Sequence, residues 1–230
     1  QSPADRDKPY AWDDLFIDVG LSAERLAERV RVGDLVTMRR EYLELAEGYA
    51  SGKALDDRAG VAALAVCLEM LSGLRHTWDV YAVATSQEEL GLRGATVSAY
   101  SVAPDIAIAV DVGLGAQQGV SEQEAIAMDG GPSIAIGPNI HPLMHERLIS
   151  VAKQHELKHQ LEIASGATGT DAWAIQVARE GIPTALLSVP LRYMHTSVET
   201  VCLRDIERTG RLMALFIAAL DGAFADTLGL

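Results

Sequence analysis

Three short apolar runs constrain the fold of this chain more than any other sequence feature. They are Val80–Thr85, Ile106–Val110 and Ala185–Val189, and each is rich in Val, Ile, Leu and Ala with almost no polar alternation. Strands that are covered on both faces have this composition, whereas strands with one wet face alternate. The runs therefore predict a sheet that is buried between helical layers.

Segments with helical periodicity separate or follow these runs. In residues 59–74, apolar side chains recur at Val61, Leu64 and Leu68, which lie on one face of a helix. Further helices are predicted at about residues 95–100, 144–155, 171–179 and 203–220. From residue 51 to the end, the sequence predicts a layered α/β/α domain with a mixed, largely parallel sheet.

The first fifty residues have a different pattern. Residues 1–10 are polar and contain two prolines, as is typical of a linker. A helix with Ser22 as its N-cap is predicted over residues 22–30. Short strands are predicted at residues 15–19, 35–38 and 42–45. Because the sequence begins at Gln1, with no initiator Met and no signal-peptide pattern, we expect it to be the middle and end of a longer chain.

Composition and charge exclude several classes of protein. The 230 residues are 49% hydrophobic and 22% charged, which excludes a disordered chain and a coiled coil. Lys and Arg number 19 against 32 Asp and Glu, and the net charge of −13 argues against nucleic acid or an anionic membrane as the main partner. No apolar run approaches the roughly 18 residues of a membrane span. Cys67 and Cys202 lie in apolar patterns and are expected to be reduced core thiols.

Polar side chains follow the ends of the predicted strands. In an open α/β sheet, residues at the carboxyl ends of the strands meet at one edge. Acidic residues and one histidine occupy these positions: Asp56 and Asp57 before the first helix, Glu88 and Glu89 after the first run, Asp111 after the second, and His195 after the third.

This set of residues is typical of a catalytic metal site. Carboxylates with one imidazole bind Zn²⁺, Mn²⁺ or Co²⁺, in contrast to the thiolates of structural zinc sites. The adjacent Glu88 and Glu89 would repel each other unless a metal ion is bound by one, which leaves the other free as a general base. A glycosidase pair is a poorer explanation, because its carboxylates lie on opposite sides of a sugar ring. Each residue also has a structural explanation, such as helix capping for the aspartates, and spacing alone leaves both open.

Four ordered motifs carry these residues. They are GKALDDRAG at residues 52–60, SQEELGLRG at 86–94, AVDVG at 109–113 and RYMHT at 192–196. Together they resemble the dinuclear-metal aminopeptidase family, which includes the tetrahedral (TET), glutamyl and deblocking aminopeptidases. The similarity runs over essentially the whole chain, and residues 14–34 resemble the end of the β-rich domain inserted in that family.

The resemblance implies a role for each matching residue. Asp56 would bridge two divalent metal ions, zinc in the first place, with cobalt or manganese as alternatives. Glu89 and His195 would complete one metal subsite, and Asp111 would belong to the other. Glu88 is similar to the general base that takes a proton from the activated water and passes it to the leaving amine.

Three more residues are assigned to the surroundings of the site. Asp57 matches the family string next to the bridging position and is expected to orient the ligands. Asp171 ends a segment, residues 166–171, that resembles a wall of the substrate pocket, although capping of a helix by Thr170 or Asp171 explains it as well. Arg192 is expected either to pair with a carboxylate or to contact substrate.

One family feature is missing from the sequence. The resemblance implies that the second metal subsite also uses a histidine from a His-x-Asp segment, yet none of the 6 histidines is followed two places on by Asp. We therefore expect residues 51–230 to be a metallopeptidase catalytic domain without its N-terminal segment. Residues 1–50 would be the C-terminal remainder of an inserted β-rich oligomerisation domain with a linker.

The resulting hypothesis is a cytoplasmic, metal-dependent aminopeptidase that acts on peptides and self-associates, up to the dodecamer of the tetrahedral members. A related metal-dependent amidase or deacylase is one alternative, because the same activation of water serves any amide. A catalytically incomplete fragment or structural subunit is the other, because of the missing histidine.

Overall fold

A computed structural model of the protein describes residues 11–229, which divide into two compact units, residues 11–39 and residues 40–229. The first unit contains a 3₁₀ turn at Trp12–Asp14 and a short helix, α1, at Ala23–Ala27. Ser22 caps α1 by accepting the Arg25 N–H, as predicted. The strands predicted at residues 15–19 and 35–38 are wrong, because neither segment pairs with a strand in the described part of the chain. The predicted linker, residues 1–10, lies outside the described residues.

The second unit is built around a mixed sheet of seven strands within the described residues. In the order β1-β2-β7-β6-β4-β5 each strand pairs with the next, and β3 also pairs with β6. The pairs β3–β6 and β4–β5 are parallel, and the other four are antiparallel. The strands are β1 at Leu43–Glu44, β2 at Tyr49–Gly52, β3 at Ala107–Leu114, β4 at Ser133–Ile136, β5 at Gln160–Ile163, β6 at Thr184–Arg192 and β7 at Glu199–Cys202.

Helices cover both faces of this sheet, which confirms the α/β fold. On one face α2, α4 and α6 pack around a core that includes Leu187 and Val189 of β6. On the other face α5 packs on β3 and β6, and the alternate residue Leu186 contacts a smaller cluster. The helices are α2 at Leu55–Leu71, α3 at Arg93–Val102, α4 at Pro142–Gln154, α5 at Asp171–Ile175, α6 at Leu203–Ala218 and α7 at Gly222–Leu228. No helix of residues 11–229 combines the length and the apolar character that a membrane span requires.

A glycine allows α2 and α6 to approach closely. A Cβ atom on Gly210 of α6 would lie 2.5 Å from the carbonyl oxygen of Ala63 and 2.6 Å from Cβ of Val66, both in α2. Such distances leave no room for any side chain at residue 210. Both cysteines, Cys67 and Cys202, are buried and unpaired, as predicted.

The run Val80–Thr85 is not a strand among the described residues, although its composition resembles that of β3 and β6. A strand requires a hydrogen-bonded partner, and in residues 11–229 β3 pairs along one edge only, with β6. Val80 still packs against the core, and the Thr85 hydroxyl donates a 2.6 Å hydrogen bond to Asp171. Residues 81–84 are exposed, with Tyr81 at 69% and Val83 at 40%, so among the described residues the apolar pattern is wrong here about burial as well as about strand pairing.

Candidate active site

The segments that follow β2 and β6, which lie on either side of β7, bring two predicted ligands next to Glu89. The chain leaves β2 at Gly52 and reaches Asp56 at the start of α2, while His195 lies in the turn that joins β6 to β7. The His195 Nε2 atom is 3.1 Å from Asp56 Oδ2 and 3.6 Å from Glu89 Oε2. The structure thus places Asp56, Glu89 and His195 at one point, although they are far apart in the sequence.

These three side chains fit a divalent metal ion. Their potential ligand atoms all lie within 4.8 Å of one another. Two ligand atoms on a tetrahedral zinc ion, each at about 2.1 Å from it, are about 3.4 Å apart, and the observed separations lie on either side of that value. The His195 and Glu89 side chains are 65% and 57% exposed, whereas Asp56 is 10% exposed. The cluster is therefore open to solvent on one side, as an ion and a substrate require.

The charge of Asp56 is disfavoured in the absence of a cation. Burial raises the pKa of Asp56, and the neighbouring Glu89 carboxylate raises it further, while His195 lowers it. The peptide bond between Asp56 and Asp57 is cis. An ion at this point would supply the positive charge that favours the ionised forms of the buried Asp56 and the neighbouring Glu89.

Asp57 lies next to this cluster and begins the regular part of α2. Its Oδ1 atom accepts the Gly60 N–H at 2.9 Å, which is the geometry of a helix N-cap. Burial raises the pKa of Asp57 to about 8; the Gly60 N–H opposes this shift, and the charge of Asp56 adds to it. Asp57 thus has a capping role in the structure, and its predicted role in orienting the ligands stays a prediction.

Asp111 lies in β3, opposite Ser188 of β6. Its Oδ1 atom accepts the Val112 N–H at 2.7 Å. Burial raises the pKa of Asp111 to about 8, and the charge of Asp57 adds to the shift. Among the described residues Asp111 belongs to no group of three potential ligands, so its place in a second metal subsite stays a prediction.

Glu88 adjoins the three-residue cluster without belonging to it. Its backbone carbonyl accepts the N–H groups of Gly91 and Leu92, in the turn that leads into α3. Burial raises the pKa of the Glu88 carboxyl, and the charges of Glu89 and Asp171 raise it further. A raised pKa makes a carboxyl beside candidate metal ligands a better proton acceptor than an ordinary exposed glutamate.

The two remaining candidates have structural partners. Asp171 begins α5 and accepts the Thr85 hydroxyl with Oδ2, while its Oδ1 atom is buried without a hydrogen bond. Burial raises the pKa of Asp171, and the bond from Thr85 opposes the shift. Arg192 donates from Nε to the Ala116 carbonyl at 2.9 Å, so part of its bonding capacity is used by the backbone.

Sequence reasoning missed Glu199, a buried carboxylate at the start of β7. Its oxygens accept backbone N–H groups of both Asp56 and His195. The only signal in the sequence is its spacing four residues after His195, and the same spacing fits an exposed loop.

A second group of potential ligands, Asp129, Cys202 and Asp205, lies at the start of α6. Arg204 Nε is 2.9 Å from Asp129 Oδ1, and Arg208 Nη1 is 2.6 Å and 3.0 Å from Asp129 and Asp205. Since two guanidinium groups already neutralise the two carboxylates, this cluster is a structural salt-bridge network.

The raised pKa values of Asp57 and Asp111 predict that the stability of the folded chain depends on pH. Each has a pKa of about 8 in the folded chain and about 3.9 in an unfolded one, so the folded state binds these protons more tightly. Their contribution to stability is complete below about pH 4 and is lost as the pH rises through about 8. We expect the Tm of the chelator-treated chain, measured by calorimetry, to fall between about pH 5.5 and about pH 8.5.

The variants Asp57→Asn and Asp111→Asn isolate this effect. An amide oxygen still accepts the backbone N–H but does not titrate, so each variant is expected to flatten part of the slope. Saturating zinc is expected to reduce the fall, because metal binding favours deprotonated carboxylates. An unchanged slope in both variants would assign the pH dependence to other groups instead, such as Asp56, Glu88 and Asp171, whose pKa values are also raised.

Comparisons with known proteins give matches over most of the chain. Residues 1–212 match the family model described as M42 glutamyl aminopeptidase. The chain is 36% identical over 211 residues to the lysyl aminopeptidase of Pyrococcus furiosus. The alignment covers 91% of this chain and 60% of that protein. It is 29% identical over 217 residues to the glutamyl aminopeptidase of Lactococcus lactis, in an alignment that covers 93% of this chain and 60% of that protein. The chain thus spans about 60% of the length of these curated relatives.

Solved structures give the same result. An aminopeptidase from the archaeon Desulfurococcus kamchatkensis superposes with a TM-score of 0.90 at 38% identity, over 99% of this chain and 65% of that one. The TET1 peptidase of Pyrococcus horikoshii superposes with a TM-score of 0.80 at 30% identity, over 96% of this chain and 66% of that one. The resemblance proposed from the four motifs is confirmed, and this chain belongs to the M42 glutamyl aminopeptidase family.

Proposed function

We propose that this chain carries the catalytic carboxylate and one complete set of metal ligands of a metal-dependent aminopeptidase. The observation that carries the proposal is the convergence of Asp56, Glu89 and His195, with Glu88 beside them, in a member of the M42 family. Two divalent ions are proposed, zinc first, with cobalt or manganese as substitutes, because carboxylates with one imidazole accept several metals.

Each candidate site residue has a separate proposed role in amide hydrolysis. Asp56, Glu89 and His195 would hold one ion, and Asp56 and Asp111 would serve a second. When bound, such ions activate water and polarise the carbonyl of the scissile amide. Glu88 would take up a proton from that water and deliver it to the leaving amine. Burial and neighbouring carboxylates raise the pKa of Glu88, which suits a group that must both bind and release a proton.

The surroundings of the site favour a substrate with a positive amino terminus. The Glu88 carboxyl lies within electrostatic range of Glu89, Asp171 and Asp56, which makes this region acidic. An acidic surface attracts the ammonium group of an unblocked peptide. We also propose self-association, by comparison with the Pyrococcus horikoshii TET1 peptidase, which can assemble into a tetrahedron or a large octahedral shell. A cytoplasmic location is proposed because the buried thiols Cys67 and Cys202 are unpaired.

The test compares matched substrates with a free and an acetylated amino terminus. Aminoacyl nitroanilides are incubated with the chain plus Zn²⁺, Co²⁺ or Mn²⁺, and with a chelator. We expect hydrolysis of the free-amine substrate with metal and its loss with the chelator. Preferential hydrolysis of acylated amines would instead identify an amidase or deacylase. The absence of activity with every metal would refute catalysis by this chain and support the structural-subunit alternative.

A further inference from the structure

The buried carboxylate of Glu199 connects the two segments that carry Asp56 and His195. The residue is 2% exposed, and its two oxygens have separate partners. Oε2 accepts the N–H of Leu55 at 2.7 Å and the N–H of Asp56 at 3.1 Å. Oε1 accepts the N–H of His195 at 2.9 Å. One side chain therefore fixes the backbone of two candidate ligands that are 139 positions apart in the chain (195 − 56).

The sheet explains how one residue reaches both segments. Glu199 is the first residue of β7, and β7 pairs with β2 on one side and with β6 on the other. The chain runs from β2 to Asp56 and from β6 to His195. Glu199 thus lies at the end of the strand that separates the two ligand-bearing segments.

Stability alone does not call for a carboxylate at this position. Burial of a carboxylate costs free energy unless hydrogen bonds compensate for it. Among residues 11–229 no Lys, Arg or His forms a salt bridge with Glu199. All its compensation comes from backbone N–H groups, and those groups belong to Leu55, Asp56 and His195.

We propose that Glu199 is a positioning residue for the metal centre, because it fixes the spacing between Asp56 and His195. This inference rests on the proposed function, since it assigns Glu199 a role toward the same ions. The relevant spacing is the 3.1 Å between Asp56 Oδ2 and His195 Nε2. Without the hydrogen bonds of Glu199, the segments of Asp56 and His195 can move independently. Binding of one ion by both side chains then costs more conformational entropy, and zinc affinity falls.

The test is metal binding by Glu199→Gln. Glutamine keeps the size of the side chain but has one acceptor oxygen, so its NH₂ group must face one of the backbone N–H donors. We expect zinc affinity, measured by calorimetry with a competing chelator, to fall by about 10- to 100-fold, as for other residues that orient metal ligands. The visible absorption of bound Co²⁺ is expected to change as well, because it reports ligand geometry. Glu199→Asp, which keeps the charge but is one methylene too short to span both segments, is expected to act in the same direction.

Asp205→Asn is the matched control. Asp205 is a fully buried carboxylate that also accepts two backbone N–H groups, from Asp129 and Gly131. Its variant is expected to lower Tm while leaving zinc affinity and the Co²⁺ spectrum unchanged.

The outcomes separate this inference from the proposed function. Wild-type zinc affinity in both folded Glu199 variants would overturn the role of Glu199 and leave the metal centre intact. A wild-type chain that binds neither Zn²⁺ nor Co²⁺ would refute the metal centre, and the inference with it. If Glu199→Gln does not fold, the zinc affinity and the Co²⁺ spectrum of Glu199→Asp test the role of Glu199 in its place.

Discussion

Replacement of Glu88 by glutamine is expected to lower kcat for an unblocked aminoacyl nitroanilide by about 10²- to 10⁴-fold, the usual contribution of a general acid–base group. Glutamine has nearly the same shape but cannot accept and release a proton. Because Glu88 lies beside the cluster of candidate ligands and outside it, zinc affinity is expected to stay near its wild-type value. Steady-state kinetics and metal titration on the same preparation check both expectations.

Two glutamate variants serve as controls for this prediction. Glu89→Gln removes a candidate ligand, so it is expected to weaken metal binding, and added zinc should recover part of its activity. Glu146→Gln changes an exposed glutamate on α4 and is expected to have no effect. A Glu88→Gln chain that hydrolyses substrate at the wild-type rate would remove Glu88 from the chemistry.

Replacement of His195 by alanine is expected to produce the largest loss of metal affinity. Its Nε2 atom is the nitrogen donor of the cluster, 3.1 Å from Asp56 and 3.6 Å from Glu89. Loss of a direct ligand should exceed the roughly 10- to 100-fold effect of residues that only orient ligands. Metal content after dialysis and zinc titration calorimetry give the measurement.

The exposure of His195 separates an effect of the variant on metal binding from an effect on stability. Since its side chain is 65% exposed, its removal should leave the Tm of the chelator-treated chain nearly unchanged. His155→Ala, at the exposed C-terminal end of α4, is the matched control and should bind zinc as the wild type does. Equal zinc affinity in the two variants would contradict the assignment of His195 as a ligand.

Apolar composition predicts the inner strands of this fold and misses the short ones. The run at residues 185–189 lies within β6, and the run at residues 106–110 overlaps the start of β3, because both strands are covered by helices on each face. β4, β5 and β7 have only four residues each, and β5 and β7 also carry Glu162 and Glu199, so no long apolar run marks any of the three. The run at residues 80–85 has the right composition, but pairing depends on neighbours that a local pattern does not contain.

The candidate site could be predicted in part for a similar reason. Asp56, Glu89 and His195 follow predicted elements at one edge of the sheet, and strand-end reasoning brings them together. The role of Glu199 depends on β7 lying between β2 and β6, an arrangement set by tertiary pairing. The capping bond from Gly60 to Asp57 likewise depends on the local backbone at the start of α2.

The close approach of α2 and α6 at Gly210 lies between two elements that both connect to the candidate site. α6 follows β7 directly, and β7 begins with Glu199, while α2 begins at the segment that Glu199 holds. Ala63, which faces Gly210, lies about two helical turns beyond Asp56. A side chain at position 210 would force the two helices apart. We expect that displacement to reach Glu199, which precedes α6, and Asp56, at the start of α2. We therefore expect a substitution at this buried glycine to disturb the spacing of Asp56 and His195 as well as the packing of the two helices.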